Sequence, residues 1–335
     1  LFALLTPRVW LVGLSTLLGT LFSLAIAMAV WQRLTPELTV DRRAFDRTRL
    51  AALFQMSGWM TINQVGTLLF LNIDLIVVNL ALGAEAAGRY GSVLQWPLLL
   101  RTFAAAISGA LTPLILMEYA RGAEERITCL SRQAVKLLGL GMALPVGVVC
   151  GLARPLLRLW LGSDFASLAP LLVVMIAHLC INLAVLPLFS IQVALNRVKW
   201  PGIVTLLMGF ANLGLAVWWS GWEANGLGVA LAGGLVLLLK NALFTPLYSA
   251  HIQRLRYTAF LSSMAPGVVG ATAVGLVCYA LGRVCAIGSW PAFIGLACLV
   301  AAVYAAVAYT VGLDDGERRL LAALAPWRAS RIRVH

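Results

Sequence analysis

The sequence predicts an all-α protein, a polytopic bundle of about nine transmembrane helices, and three observations carry that expectation. Of 335 residues, 61% are hydrophobic and only 11% are charged, with a mean hydropathy of +0.92. That leaves too little polar surface to coat a globule in water. The apolar residues gather into runs of about 20 or more, the length a helix needs to cross a hydrocarbon core of roughly 30 Å. The lysines and arginines sit almost entirely between those runs. In lipid every backbone N–H and C=O must be satisfied within its own segment, so the runs are expected to be helices.

Reading runs against breaks places the spans at about 9–31, 52–80, 90–117, 135–152, 167–190, 201–219, 226–248, 264–283 and 290–312. The first ends at the polar stretch Gln32–Leu50, and the last gives way to the tail after Leu313. No soluble domain fits between any two. The intervening loops test the order. Loops 32–51, 118–136, 194–200, 249–262 and 313–335 carry 18 Lys and Arg, and the alternate segments 1–8, 81–89, 153–166, 220–225 and 283–289 carry 5. Arg101 and Lys240, inside spans, complete the total of 25. A span missed or invented near the middle would abolish this split, so the count and a cytoplasmic C-terminus support each other. Prolines 97, 113, 145, 187, 246 and 266 fall in or at the ends of spans, where each removes a backbone donor and can bend the helix.

A net charge of +12 and a pI near 10.0 would suit nucleic acid if the basic residues formed one face of a folded domain. Spread between apolar runs, they read as polar loops at an anionic membrane surface, with no nucleic-acid partner. The six cysteines, at 129, 150, 180, 278, 285 and 298, form no CxxC and have no paired His, so no metal site and no cofactor is expected. They read as buried small hydrophobes. Trp10, Trp31, Trp59, Trp160, Trp200, Trp218, Trp219, Trp222 and Trp290 cluster near span ends, as aromatic belts do. The C-terminal ERRLLAALAPWRASRIRVH alternates basic and apolar residues and fits an amphipathic segment on the inner leaflet. Leu1 is preceded by no methionine, and no signal peptide follows it, which suggests an amino-terminal truncation.

An ionisable side chain at the bilayer centre costs several kcal/mol on insertion scales, so it should face a partner or a wet cavity. That singles out Arg101, Lys240 and His178, each roughly 17–21 Å from the outer end of its helix. Arg101 shares a helical face with Ser108 and Thr112. His178 and Asn182 are one turn apart, able to bond a sugar or each other. Asp74 continues a face with Asn63 and Thr67, but only about 9 Å from the outer helix end, where it suits a coupling role or an ion pair with Arg89 or Arg101. Glu118, Glu124 and Glu125 beside Arg121 and Arg126 read as solvated pairs. No GxSxG, P-loop or HExxH is present and no carboxylate pair shares a credible site, so an enzyme is not expected.

Between Phe54 and Ala120 the chain reads LFLNIDLIVVNLALGAEAAGRYGSVLQWPLLL and then a helix ending LTPLILMEYARG. With PLLRLWLGSDFASLAPLL at 155–172 and IQVALNRVKWPGIV at 191–204, this resembles the polysaccharide transporter branch of the multidrug/oligosaccharidyl-lipid/polysaccharide flippase superfamily, the group that includes O-antigen flippases. The matching elements are Asp74, Gly83, Gly88, Tyr90, Pro113 and Arg121-Gly122, and the resemblance covers about 50–250. It implies that 1–49 is the last helix of a mostly absent first lobe plus a cytoplasmic linker, 50–250 a six-helix lobe, 251–312 two additional helices and 313–335 a basic tail.

The same resemblance implies a multi-pass protein of the bacterial inner membrane. It would move a lipid-linked oligosaccharide across that membrane for surface polysaccharide synthesis. Its partners would be membrane lipid and, in one version, a glycosyltransferase or polymerase of the same pathway. Arg101 and Lys240 would then hold the cargo's pyrophosphate, with Ser108, His178 and Asn182 beside it and Asp74, Asn63 and Thr67 in coupling or ion pairing. The alternatives are a cation-coupled multidrug exporter of the same superfamily and a polytopic membrane glycosyltransferase or polymerase.

Overall fold

The computed structural model describes residues 9–34, 46–122, 124–221, 225–285, 287–314 and 316–318. No strand occurs among them. The helices are α1 (Val9–Leu34), α2 (Arg47–Leu82), α3 (Ala84–Ala120), α4 (Glu124–Gly151), α5 (Ala153–Leu161), α6 (Ala169–Ala177), α7 (Leu179–Ala184), α8 (Leu186–Ala194), α9 (Lys199–Trp219), α10 (Leu227–Leu239), α11 (Thr245–Ile252), α12 (Ala259–Val284) and α13 (Trp290–Val307). A 3₁₀ turn, Ser163–Leu168, precedes α6, and π-helical turns follow α10 (Lys240–Phe244) and α13 (Ala308–Gly312).

Among the described residues nine helical stretches are long and apolar enough to cross a membrane: Gly13–Leu34, Ser57–Leu82, Ala84–Ala120, Glu125–Gly151, Ser163–Ala194, Lys199–Trp219, Leu227–Ile252, Ala259–Val284 and Trp290–Gly312. Each overlaps one predicted span, and the protein is a multi-pass, all-α bundle. The differences lie at the ends. The predicted loop 81–89 shrinks to Gly83, whose φ of +90° makes the whole reversal. Arg89 and Glu85, read as loop residues, pair at 2.9 Å on the first turns of α3. α4 starts eleven residues before the predicted 135, its charged first turns projecting past the apolar run. The span predicted at 167–190 is one path of three helical pieces. The break at Val185 follows from Pro187, which has no N–H to continue the ladder, so Leu188 bonds back three residues to Val185 instead.

The chain divides into two units, Leu1–Phe54 and Gln55–His335. The first contains α1, apolar up to its last turn, which carries Gln32 and Arg33. In the second, α6 and α7 form the most buried path, with Leu171, Leu172, Ile176, Leu179 and Leu183 closed off from solvent. Where helices meet closely, glycine lets them. A Cβ on Gly147 would lie 2.7 Å from Val274 Cβ, and one on Gly267 2.7 Å from the Gly139 carbonyl carbon, so α4 and α12 touch backbone to backbone. α2 and α9 meet the same way through Gly66, Gly202 and Gly209. α13 is tied on by the Tyr304 hydroxyl, which donates to the Leu140 carbonyl at 2.8 Å.

The bundle turns large apolar side chains outward, among them Leu207, Phe210, Leu276 and Leu299, as lipid contact requires. Trp200, Trp218 and Trp290 are exposed at helix ends, while Trp222 and the tail 319–335 lie outside the described residues. The reading of the cysteines as buried needs correction. Cys180 and Cys278 are buried and Cys150 half-buried, but Cys129, Cys285 and Cys298 are exposed, because an apolar run in a lipid-facing helix does not imply a place inside the bundle.

Candidate functional site

Asp74, Tyr90, Arg101 and His178, from three separate spans, line one cavity of about 40 Å³ inside the second unit. Its wall is completed by Gly233 and Gly234 of α10, and these two glycines bring that helix backbone against the polar groups. A Cβ at Gly233 would sit 2.9 Å from Asp74 Oδ2 and 3.5 Å from Asn212 Oδ1, and one at Gly234 would sit 3.0 Å from His178 Cδ2. Pro97, one turn before Arg101, also faces the cavity.

Asp74 is held from α9. Asn212, fully buried, donates through Nδ2 to Asp74 Oδ1 at 3.1 Å and leaves its own Oδ1 without a partner. Arg101 and Asp74 attract one another across the cavity, and the Tyr90 side chain also interacts with the carboxylate. Tyr90, 1% exposed, packs against Gly226, whose φ of +73° and 3.0 Å clearance from the ring both demand glycine. The cluster therefore sets one carboxylate against one guanidinium, with an imidazole and a phenol alongside, in a space fit for one or a few waters.

A buried hydrogen-bond chain leads away from His178. Asn182 Nδ2 meets His178 Nδ1, Asn241 Nδ2 donates to Asn182 Oδ1 at 3.1 Å, and Thr245 Oγ1 donates to Asn241 Oδ1 at 3.1 Å. Asn241 belongs to the π-turn after α10, and a π-turn offsets the residues before it from the helix that follows. Lys240, in the same turn, does not line the cavity. It is 5% exposed, with its ammonium 4.9 Å from the centre of the Phe189 ring.

Of the other residues singled out by sequence, Ser108 is buried, and Thr112 on its face bonds Ser190 at 2.7 Å. The expected Asn63, Thr67, Asp74 stripe separates. Thr67 returns its hydroxyl to the Asn63 carbonyl at 2.9 Å, Asn63 lies against α9 at Gly202, and Asp74 alone reaches the cavity. Arg89 is taken by Glu85, which leaves Arg101 as the cation facing Asp74 among the lining residues. Glu118 pairs with Arg121 at 3.0 Å and Arg126 at 3.8 Å, while the side chain of Glu124 lies outside the described residues.

Sequence reasoning passed over Asn212, Asn241 and Thr245. The amides were visible as breaks in FANLGL and LLKNALF, yet an amide in an apolar run carries no charge to mark it. A second polar space, of about 480 Å³, opens between the starts of α4 and α12, lined by Thr128, Cys129, Arg132, Lys136, Ser263 and Glu317. There Lys136 holds Glu317 at 2.7 Å and Asp314 at 3.2 Å.

Comparison with known proteins adds three findings. Residues 1–117 match the polysaccharide biosynthesis protein family. Over 322 residues the chain is 38% identical to an uncharacterized membrane protein, EpsK, of Bacillus subtilis (strain 168), a match that covers 96% of this chain. The chain spans 64% of that relative's length. No solved structure matches.

Proposed function

We propose that this chain, whose residues 1–117 match the polysaccharide biosynthesis protein family, is part of a flippase-type transporter. Its cargo is a lipid-linked oligosaccharide, carried from the cytoplasmic to the outer leaflet of the bacterial inner membrane by alternating access. The observation that carries this reading is the cavity shared by Asp74, Tyr90, Arg101 and His178. A charged residue at the centre of a spanning helix costs about 2.5–3.5 kcal/mol on insertion scales. Arg101 at mid-span and Asp74 nearer the helix end, both directed at one space, mark that space as the candidate site.

The cargo's pyrophosphate is matched by Arg101, whose planar guanidinium bonds two phosphate oxygens in parallel. At about 40 Å³ the cavity is far too small for a sugar, so in this reading the conformation is the closed one, with the Asp74 carboxylate facing the guanidinium across it. Opening separates α10 from the Asp74–Arg101 pair, and the two glycines are the contact that parts. The multidrug-exporter reading needs an acidic cavity for cationic drugs, whereas here the one carboxylate faces a guanidinium.

A leaflet-exchange assay in proteoliposomes, using a fluorescent lipid-linked sugar, tests the proposal. Arg101→Ala should lose most of the exchange and Arg101→Lys should keep part of it. Full exchange in Arg101→Ala removes the arginine from the site, and no exchange by the unaltered protein removes the cargo.

A further inference from the structure

The hydrogen bonds around His178 run in one direction. Thr245 donates its hydroxyl to Asn241 Oδ1, so the group of Asn241 left to meet Asn182 is Nδ2, and it donates to Asn182 Oδ1. The group of Asn182 left for the ring is then Nδ2, which meets His178 Nδ1. An amide nitrogen has hydrogens to give and accepts none, so with both amides in this arrangement Nδ1 is the acceptor and the ring proton belongs on Nε2. The Cδ2–Nε2 edge of the ring lies along Gly234 on the cavity wall, Cδ2 3.0 Å and Nε2 3.5 Å from the position of a Cβ there.

We propose that Asn182, Asn241 and Thr245 are positioning residues that hold His178 as an Nε2–H donor facing the cavity, so that the cargo atom it binds is an acceptor, as a phosphate oxygen is. This rests on the transport reading above. The three residues are 3%, 6% and 1% exposed, and in so dry a setting an amide turned the wrong way leaves groups unpaired at a cost of about 1–3 kcal/mol each. Turning both amides over together reverses each bond and moves the ring proton to Nδ1. The chain therefore has two self-consistent states, and its far end is the π-turn between α10 and α11.

The test is ¹⁵N NMR on the full chain in lipid nanodiscs with labelled histidine. Three histidines are present, and the signal lost in His178→Gln assigns this one. The unaltered protein and Thr245→Ser should show the Nε2–H tautomer. Asn241→Asp, whose ionised carboxylate only accepts, should turn Asn182 over and shift His178 to the Nδ1–H form. Thr245→Val should give a mixture and serves in place of Asn241→Asp should that variant not fold.

An Nδ1–H tautomer in the unaltered protein overturns the proposal, as does an unchanged signal in the altered chains. Leaflet exchange supplies the second readout. Asn241→Asp should lose about tenfold, the scale of one lost hydrogen bond, and Thr245→Ser should not. A switched tautomer with undiminished exchange overturns the link to cargo. If the unaltered protein moves no lipid-linked sugar, the transport reading fails while the NMR result still decides the tautomer.

Discussion

A carboxylate, a guanidinium and an imidazole in apolar helices are conspicuous because each must be answered by something, and that made Asp74, Arg101 and His178 legible from sequence alone. What sequence could not give was their convergence. Asp74 was placed about 9 Å below the outer helix end on the premise of a nine-residue loop. The loop is a single glycine, so α3 begins at once and Tyr90 folds back over the carboxylate. Asn212 was invisible for another reason: nothing in FANLGL says that the amide points at an acid on a helix 138 residues earlier. Its removal is a direct measure of that bond. Asn212→Leu leaves Asp74 Oδ1 without its donor, which should cost about 1–3 kcal/mol, read as a lowered melting temperature in detergent. Gly233→Ala should do comparable harm by a different route. Its Cβ must displace Asp74 Oδ2 from 2.9 Å, so leaflet exchange should fall even if the protein melts normally.

Element existence was readable because length and hydropathy decide it, and each of the nine predicted runs contains a helix. Element irregularity was only partly readable. Pro187 accounts for the break at Val185, and Pro246 follows the π-turn at Lys240–Phe244, but the turn at His178 has no proline nearby. That last irregularity carries His178, so the feature hardest to foresee sits at the site. Helix contacts were equally hidden, since a glycine in a spanning helix serves close packing in one place and nothing in another. Two glycines of α4 separate the cases. A Cβ on Gly151 would lie 2.5 Å from both Cys278 Cβ and the Gly275 carbonyl oxygen of α12, whereas a Cβ on Gly141 would meet nothing within 4 Å. Gly151→Ala should therefore push the helices apart and destabilise by about 1–3 kcal/mol. Gly141→Ala should raise stability by about 0.5–1 kcal/mol, because alanine gives up less backbone freedom on entering a helix. Thermal melts of the two variants side by side read the difference, and equal behaviour would mean that α4 and α12 do not touch as described.

At the scale of the whole molecule the governing quantity is sidedness. The 18 Lys and Arg of one set of loops against 5 of the other predict, by the rule relating charge to orientation, that the basic end faces the cytoplasm. Two native cysteines report on opposite ends. Cys129, exposed, lines the polar space at the basic end beside Arg132 and Lys136, and Cys285, exposed, caps α12 at the other. Cys298 is exposed too, but on the middle of α13, where a reagent confined to water does not reach it. Bacteria expressing the chain should accordingly take up a membrane-impermeant maleimide at Cys285 while intact and at Cys129 only after permeabilisation, with Cys285→Ser and Cys129→Ser assigning each band. The proposed direction of transport depends on the same fact, because the cargo's pyrophosphate is loaded where the basic loops are and released where they are not. Labelling of Cys129 in intact cells would turn the bundle over, and the cavity, unaltered in its chemistry, would then open to the outer leaflet when it is supposed to be collecting cargo from the inner one.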